Sequence, residues 1–494
     1  MKNQTQNLII TFSIILALAI ALVFLVLPQD WRLASITILT VLSGLIVLWF
    51  LYKKWPWLLV FIILPAIIVG PIATLTIRDY TYEISLAEIL ILASLLIFIF
   101  DKLGQPKLDI KLPRVLWALA GFIGLAIMSV LWADNFSRAL IAIRVLVYHW
   151  LVLFLVVNII KTKKDWKRAL WALPTTAFLV ALQLFYKVLQ LGGWSTIFIP
   201  DRTQLITPVG SWVFISAIIV LCLPLSGALL LSRSQKLRGL AIYKDDFFTS
   251  GWVIKPSPTL PSPSRRGRVR EGAVWLQYPG LFLMIVFSAL ASLFTLGKGE
   301  LLSLAAGLVY FFKKQRAKKW LTGVVAVAIV ALFLIFFSQY GSQFWQRISG
   351  TFSDHNTRFR IEEFKTGISV FAHQPFFGVG IGNLKLVYRA QLPWFVETES
   401  NNIIVQILAE LGAIGGLILY FLVREIVSVF RSLKVVIART DKILLLGFAS
   451  TMVVAIANSM VEVTFVGLNY GIVFWYVIGL VVSRSILAQL SKLK

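Results

Sequence analysis

Glycine alternates with bulky apolar residues in HQPFFGVGIGN, residues 373–383. A backbone without Cβ can approach an anion closely and offer its N–H groups, so Gly378, Gly380 and Gly382 raise the question of phosphate binding. A dinucleotide fingerprint would need a third glycine at 383 and a surrounding βαβ unit. Position 383 is Asn383 and no such unit flanks it, so the nucleotide reading fails. The ionisable residues near the ends of apolar runs are Arg78, Glu88, Arg138, Arg144, Arg202, Lys298 and Glu300, with His149 deeper. Glu410 follows Asn401 into an apolar run, with Gly412, Gly415 and Gly416 behind it. A carboxylate within a membrane segment faces a cavity or a partner, and small residues let helices approach. Taken singly, these groups read as structural pairs or snorkelling side chains. Taken together, they outline a polar, mostly cationic pocket that would stabilise an anionic headgroup. Metal and redox chemistry find no footing: Cys222 is the single cysteine, and the outer loops hold no HExxH, CxxC or DxD-type cluster.

The elements that must position these residues follow from composition. The chain is 59% hydrophobic and 14% charged, with a mean hydropathy of +0.86; soluble chains run near 45–50% and about 25%. Apolar runs long enough to cross a ~30 Å hydrocarbon core fall at 8–28, 33–52, 57–77, 84–100, 112–132, 139–160, 169–188, 212–231, 279–297, 320–338, 403–423, 443–460 and 465–482. A shorter run at 300–312 reads as re-entrant or packed inside the bundle. The expected fold is an all-α polytopic membrane protein of about 12–14 transmembrane helices. The first run lacks a small-residue cleavage pattern and reads as an anchor.

The formal charge of +25 could point to nucleic acid, so its placement decides. With a cytoplasmic N-terminus, alternate loops carry most of the 47 Lys and Arg residues, in YKKW, KTKKDWKR, KKQRAKKW and the 232–278 loop among others. An excess of Lys and Arg on the cytoplasmic side is the topology signal of membrane proteins, so the basicity is topogenic and nucleic acid is excluded. Both termini are then cytoplasmic, and residues 339–402 form the one large extracytoplasmic loop. The glycine stretch lies in that loop, away from nucleotides, where a lipid-linked phosphate remains open as a ligand. Within it, Ile361, Phe364, Ile368 and Phe371 recur at helical spacing, with Arg358, Glu362 and Lys365 on another face. This predicts an amphipathic helix that lies on the membrane or caps a cavity, stopped by Pro375. The KPSPTLPSPSRRGRVREG stretch has no apolar periodicity and is expected to be disordered, either a lipid-headgroup patch or a tolerated insertion.

HQPFFGVGIGN followed by NNIIVQILAELGAIGGL resembles the signature region of the O-antigen ligase/polymerase family. LFTLGKGELLSLAAGLV is similar to that family's serine-arginine-glycine stretch, and SVLWADNFSRAL to an upstream tryptophan motif. The resemblance is strong over about 280–425; it implies a GT-C-like helical bundle that joins undecaprenyl-pyrophosphate-linked glycans at the outer face of the bacterial plasma membrane. Two positions depart from the pattern. Ligases of the family carry a His-Asn pair where this chain has Asn401 and Asn402, and the arginine of the second motif is Lys298, which keeps the charge but loses the bidentate fork.

The mechanism this resemblance implies needs no cofactor and no metal. An acceptor hydroxyl attacks the anomeric carbon while preorganised cations neutralise the departing diphosphate. Arg202 and Lys298 are the expected catalytic cations, and Glu399 stands in as a base for the missing histidine. Arg358, Arg360, His373, Asn401, Asn402 and Glu410 are the expected substrate-binding residues, and Pro375, Gly378, Gly380 and Gly382 form the structural turn. The expected partners are the bilayer, the lipid-linked glycan and a lipid or glycan acceptor; the oligomeric state is left open. The chain divides into N-terminal helices 1–231, a cytoplasmic loop 232–278 and a signature region 279–494. The alternatives are an inorganic-carbon (bicarbonate) transporter-like member of the same family and a scaffold for polysaccharide export.

Overall fold

The computed structural model describes residues 43–77, 80–103, 105, 109–191, 206–245, 278–295, 297–315, 355–391, 401–436, 441–461 and 467–490. The protein is an all-α polytopic membrane protein with two minor hairpins. Among the described residues, seven helical segments are long and apolar enough to cross a membrane: Arg114–Trp132, Phe136–Ile159, Lys163–Gln190, Val213–Ser232, Ile403–Leu433, Lys442–Ser459 and Leu468–Leu490. Shorter apolar helices cover Pro56–Val69 and Pro279–Ser292. The runs expected at 8–28 and 320–338 lie outside the described residues.

The helices are α1 (Pro56–Ala66), α2 (Leu86–Leu103), α3 (Arg114–Ser129), α4 (Phe136–Ile159), α5 (Lys163–Ala169), α6 (Ala172–Gln190) and α7 (Trp212–Asp245). They continue as α8 (Pro279–Thr295), α9 (Lys298–Gln315), α10 (His355–His373), α11 (Leu384–Gln391), α12 (Ile403–Val436), α13 (Lys442–Ser459) and α14 (Leu468–Leu490). At the centre, α14 is buried along most of its length, because its glycines admit neighbours. A Cβ on Gly471 would meet the His149 ring of α4, and one on Gly479 would meet Val156. Cys222, on α7, is fully buried in the same core.

One expected span is corrected. The run at 57–77 is not a single helix: α1 ends in a 3₁₀ turn at Val69, and β1 (Pro71–Ile77) pairs antiparallel with β2 (Tyr80–Ser85). Gly70 makes the switch at φ 72°, with Pro208 packed where its Cβ would be. After it, PIATLTI carries Pro71 and β-branched residues, which favour extended backbone over helix. A second short hairpin joins Ile206–Thr207 to Gly210–Ser211. α7 runs on to Asp245, so the start of the 232–278 loop is helical; its Pro- and Ser-rich stretch lies outside the described residues.

Contacts sort the connecting segments into two sets, at opposite ends of the helices. At one end Tyr52 donates to Asp101 (3.0 Å), the Lys111 N–H to Asn158 (2.7 Å), and Lys163 and Arg484 both pair with Asp441. At the other end Arg144 pairs with Glu88, the Asn135 N–H donates to Asn383, and Asn469 donates to the Val209 carbonyl. These two sets coincide with the segments that the charge distribution assigns to the cytoplasm and to the outer face. Glu88 and Arg144 are thus a structural pair: Glu88 also accepts from the Ser85 N–H (2.8 Å), and Ser85 Oγ accepts the Glu88 N–H, a capping box that starts α2.

Candidate active site

The glycine turn binds backbone. α12 is broken at Gly412 (φ 65°, ψ −163°), which strands peptide groups in the middle of a long apolar helix. The turn satisfies them: the Val379 N–H donates to the Ala409 carbonyl (3.0 Å) and the Gly380 N–H to the Glu410 carbonyl (2.9 Å). In return, the Pro375 carbonyl accepts from the Ala413 N–H at 2.7 Å. Gly378, Gly380 and Gly382 all have positive φ (65°, 88° and 73°). A Cβ at Gly378 would lie 2.4 Å from the Glu410 carbonyl carbon, one at Gly412 2.2 Å from the Phe376 oxygen, and one at Gly380 2.7 Å from Ala133. These glycines are required by close approach of two backbones. The N–H groups of Val379 and Gly380, the ones a phosphate would use, are already taken.

The tryptophan motif closes the other side of this turn. Ser129 Oγ accepts the Ile381 N–H (3.1 Å), the Trp132 indole N–H donates to the Phe377 carbonyl (3.3 Å), and buried Asn383 bridges to the Asn135 N–H. Trp132 and Phe377 meet edge to face at 5.4 Å. Between them and Gln374, Pro375, Phe376 and Gly378 lies an apolar recess of about 430 Å³. The sequence places Asn383 only as an absent glycine, yet its side chain locks two motifs that are far apart in the chain.

A second cluster forms where α10 runs beside the start of α12. The amphipathic helix expected at 358–373 exists, and its apolar stripe faces outward: Ile361, Phe364 and Ile368 are each about half exposed. Its buried face carries Glu363, Thr366, Gly367 and Val370, a polar and small-residue line that packs on Val405 and Tyr388. Glu363, which sequence reading passed over, is 1% exposed and accepts a hydrogen bond from the Asn401 amide. Asn402 caps α12, its Oδ1 accepting the Ile404 and Val405 N–H groups (3.0 and 3.1 Å), while its Nδ2 donates to the Met460 carbonyl at 3.3 Å. Arg360 donates to the Val461 carbonyl at 2.6 Å. Among the described residues, Lys365 pairs with Glu362, an exposed i,i+3 contact that contributes little.

Asn401, Asn402, Glu363 and Arg360 therefore gather at the end of α13. The start of α9 is directed to the same place. Gly307 of α9 packs on Ser450 and Val454 of α13, which runs antiparallel to it. Following that register to the helix end brings the Lys298 backbone level with the last turn of α13. Arg358 lies in the first turn of α10, while Arg202 and Glu399 lie outside the described residues. Two expected substrate contacts sit elsewhere. His373 is exposed at the far end of α10, about 20 Å along the helix from Arg360, bonded to its own Ser369 carbonyl. Glu410 is buried beside the glycine turn, about 12 Å along α12 from Asn402. Among the described residues, no three His, Cys, Asp or Glu side chains gather to hold a metal ion.

The fold and this arrangement define a multi-pass membrane protein with a polar cluster at one end of its helices, braced by a broken helix and a glycine turn. Residues 283–420 match the family model described as O-Antigen ligase. The matched stretch takes in α9, α10, the glycine turn and the first half of α12, and it supports assignment to the O-antigen ligase/polymerase family. No curated protein matches the chain.

Proposed function

We propose that the protein transfers a saccharide from a lipid-linked (undecaprenyl) pyrophosphate to an acceptor hydroxyl at the outer face of the bacterial plasma membrane, acting as a ligase or polymerase in surface polysaccharide synthesis. The observation that carries this reading is the convergence on the end of α13 of Arg360, Asn401, Asn402 and the start of α9, all four from the matched region. In the proposed reaction the acceptor oxygen bonds to the anomeric carbon, and the carbon–oxygen bond to the diphosphate breaks with its electron pair. The proton passes to a carboxylate, for which Glu399 is the proposed base. Lys298, Arg202, Arg358 and Arg360 supply the positive field in which the diphosphate charge develops. The apolar recess at Trp132, Phe376 and Phe377 suits the hydrocarbon of a lipid-linked substrate.

A transporter would be favoured by discontinuous helices lining a polar cavity. Among the described residues, breaks fall between α8 and α9 and at Gly412, and the one at Gly412 is plugged by the glycine turn. Deleting the gene and measuring surface polysaccharide chain length, lipid-linked precursor and bicarbonate uptake separates the two readings. Loss of long chains with precursor build-up is expected. Bicarbonate uptake lost with unaltered glycans would transfer the assignment to transport. In complemented cells, Lys298→Ala and Arg202→Ala should abolish long chains at normal protein level, whereas Lys298→Arg should retain them through bidentate phosphate contact.

A further inference from the structure

We propose that Glu363 is a positioning residue that fixes the amide of Asn401, so that the Asn401 carbonyl receives a hydroxyl of the incoming acceptor; this rests on the glycan-transfer reading above. An asparagine side chain has two chemically opposite ends of nearly equal shape, and only its partners decide which way it points. The bond runs from Asn401 Nδ2 to a Glu363 carboxyl oxygen, which turns Nδ2 inward and Oδ1 outward. Glu363 is 1% exposed and is set in the packed face of α10 by Thr366, Gly367 and Val370, whereas Asn401 is half-buried at the mouth of α12. Among the described residues, the bond to Glu363 is the one hydrogen bond the Asn401 side chain makes.

The outward oxygen can only accept, so its complement is a donor such as a sugar hydroxyl. A diphosphate, which offers oxygen acceptors, is repelled there and belongs with the cations. Arg360, one turn before Glu363 on the same helix, is held at the Val461 carbonyl and lies on the side suited to that diphosphate. Asn402 cannot share the role of Asn401, because its own Oδ1 is spent on capping α12. The pair therefore divides into one asparagine that builds the helix start and one that faces substrate. Glutamine at 363 would abolish this bias, since it can donate to Oδ1 as readily as it accepts from Nδ2.

The test uses the full-length protein in proteoliposomes. Lipid-linked saccharide extracted from cells lacking the gene serves as donor, and the glycolipid fraction of the same cells as acceptor. Glu363→Gln should raise the KM for acceptor by about two- to tenfold, the effect of one hydrogen bond between neutral groups, and leave the KM for donor unchanged. Combined with Asn401→Ala it should add little to the effect of Asn401→Ala alone, because both remove the same contact. Asn401→Ala, which removes the accepting oxygen without emptying the packed face of α10, should also raise the acceptor KM and keeps the test open if Glu363→Gln accumulates poorly. An unchanged acceptor KM in Glu363→Gln or Asn401→Ala, or strictly additive losses in the double variant, overturns the positioning role while transfer itself stands. Wild-type protein that transfers nothing overturns the glycan-transfer reading and this inference together.

Discussion

At the scale of single residues, glycine at 378, 380 and 412 is set by the contact between two backbones. Each combines a positive φ with a backbone or Cβ neighbour that a side chain would overlap. Holding a non-glycine residue in that region costs about 1–3 kcal/mol before any clash is counted, and a β-branched one costs more. Gly380→Val should therefore lower the thermal unfolding temperature in detergent and reduce protein level, with Gly412→Ala acting in the same direction. Wild-type abundance and melting for Gly380→Val would show that the turn tolerates side chains. The need for positive φ was legible in the alternation of glycine with bulky residues; the partner at Ala409–Glu410 was not. Asn383 carries the same lesson, since its bond to the Asn135 N–H joins two motifs 248 residues apart that look unrelated in the chain.

At the scale of elements, α10 and α12 act as a unit. They run side by side with Glu363 against Asn401 and Gly367 against Val405, and the glycine turn then locks into the break of α12. At about 1.5 Å per residue, the described length of α12 well exceeds a ~30 Å hydrocarbon core. Its break is level with Trp132 and Ala133 at the end of α3, so the stretch before Gly412 projects beyond that end toward the Asn401 cluster. The exposed stripe of Ile361, Phe364 and Ile368 then suits the membrane surface, as an interfacial helix does. Changing Phe364 to Asp should weaken membrane seating of α10 and reduce polysaccharide output while leaving the Asn401 cluster chemically intact. Equal output and equal resistance of α10 to protease in intact vesicles would show that this stripe does not rest on lipid.

At the scale of the whole molecule, two ends with different chemistry face each other across the helices. At one end, Asp441 is buried, which by itself would raise its carboxyl pKa, but hydrogen bonds from Arg484 and Lys163 outweigh this and hold it below the ordinary carboxylate range. A depressed carboxyl contributes stability above the unfolded-state pKa and loses it as pH falls through the folded value. Asp441 thus predicts acid destabilisation in strongly acidic solution, and none near neutrality. Asp441→Asn should flatten that limb of the stability profile and lower stability at neutral pH by about 3 kcal/mol or more, since it leaves Arg484 buried without its partner charge. Topology is testable in the same molecule. Single cysteines placed on a Cys222→Ser background should label with an impermeant reagent in intact cells near 389 and remain unlabelled at 250–270. The reverse pattern would invert the proposed orientation and move the Asn401 cluster to the cytoplasm.

The solvent this chain folds in, the helical class, the amphipathic span of α10 and the positions that demand glycine are all legible in the residues alone. Each is a local property, read from apolar run length, from period and from the absence of Cβ. The pairing of the glycine turn with the break in α12, the β-hairpin that interrupts the run at 57–77 and the bond between Glu363 and Asn401 were decided by tertiary structure. Periodicity reports which face of a helix is apolar, but lipid and protein interior are both apolar, so it could not say that Ile361 and Phe364 face outward while Glu363 is buried. Only the packing of α10 on α12, where Gly367 gives the close approach, separates those two faces and sets the carboxylate beneath Asn401.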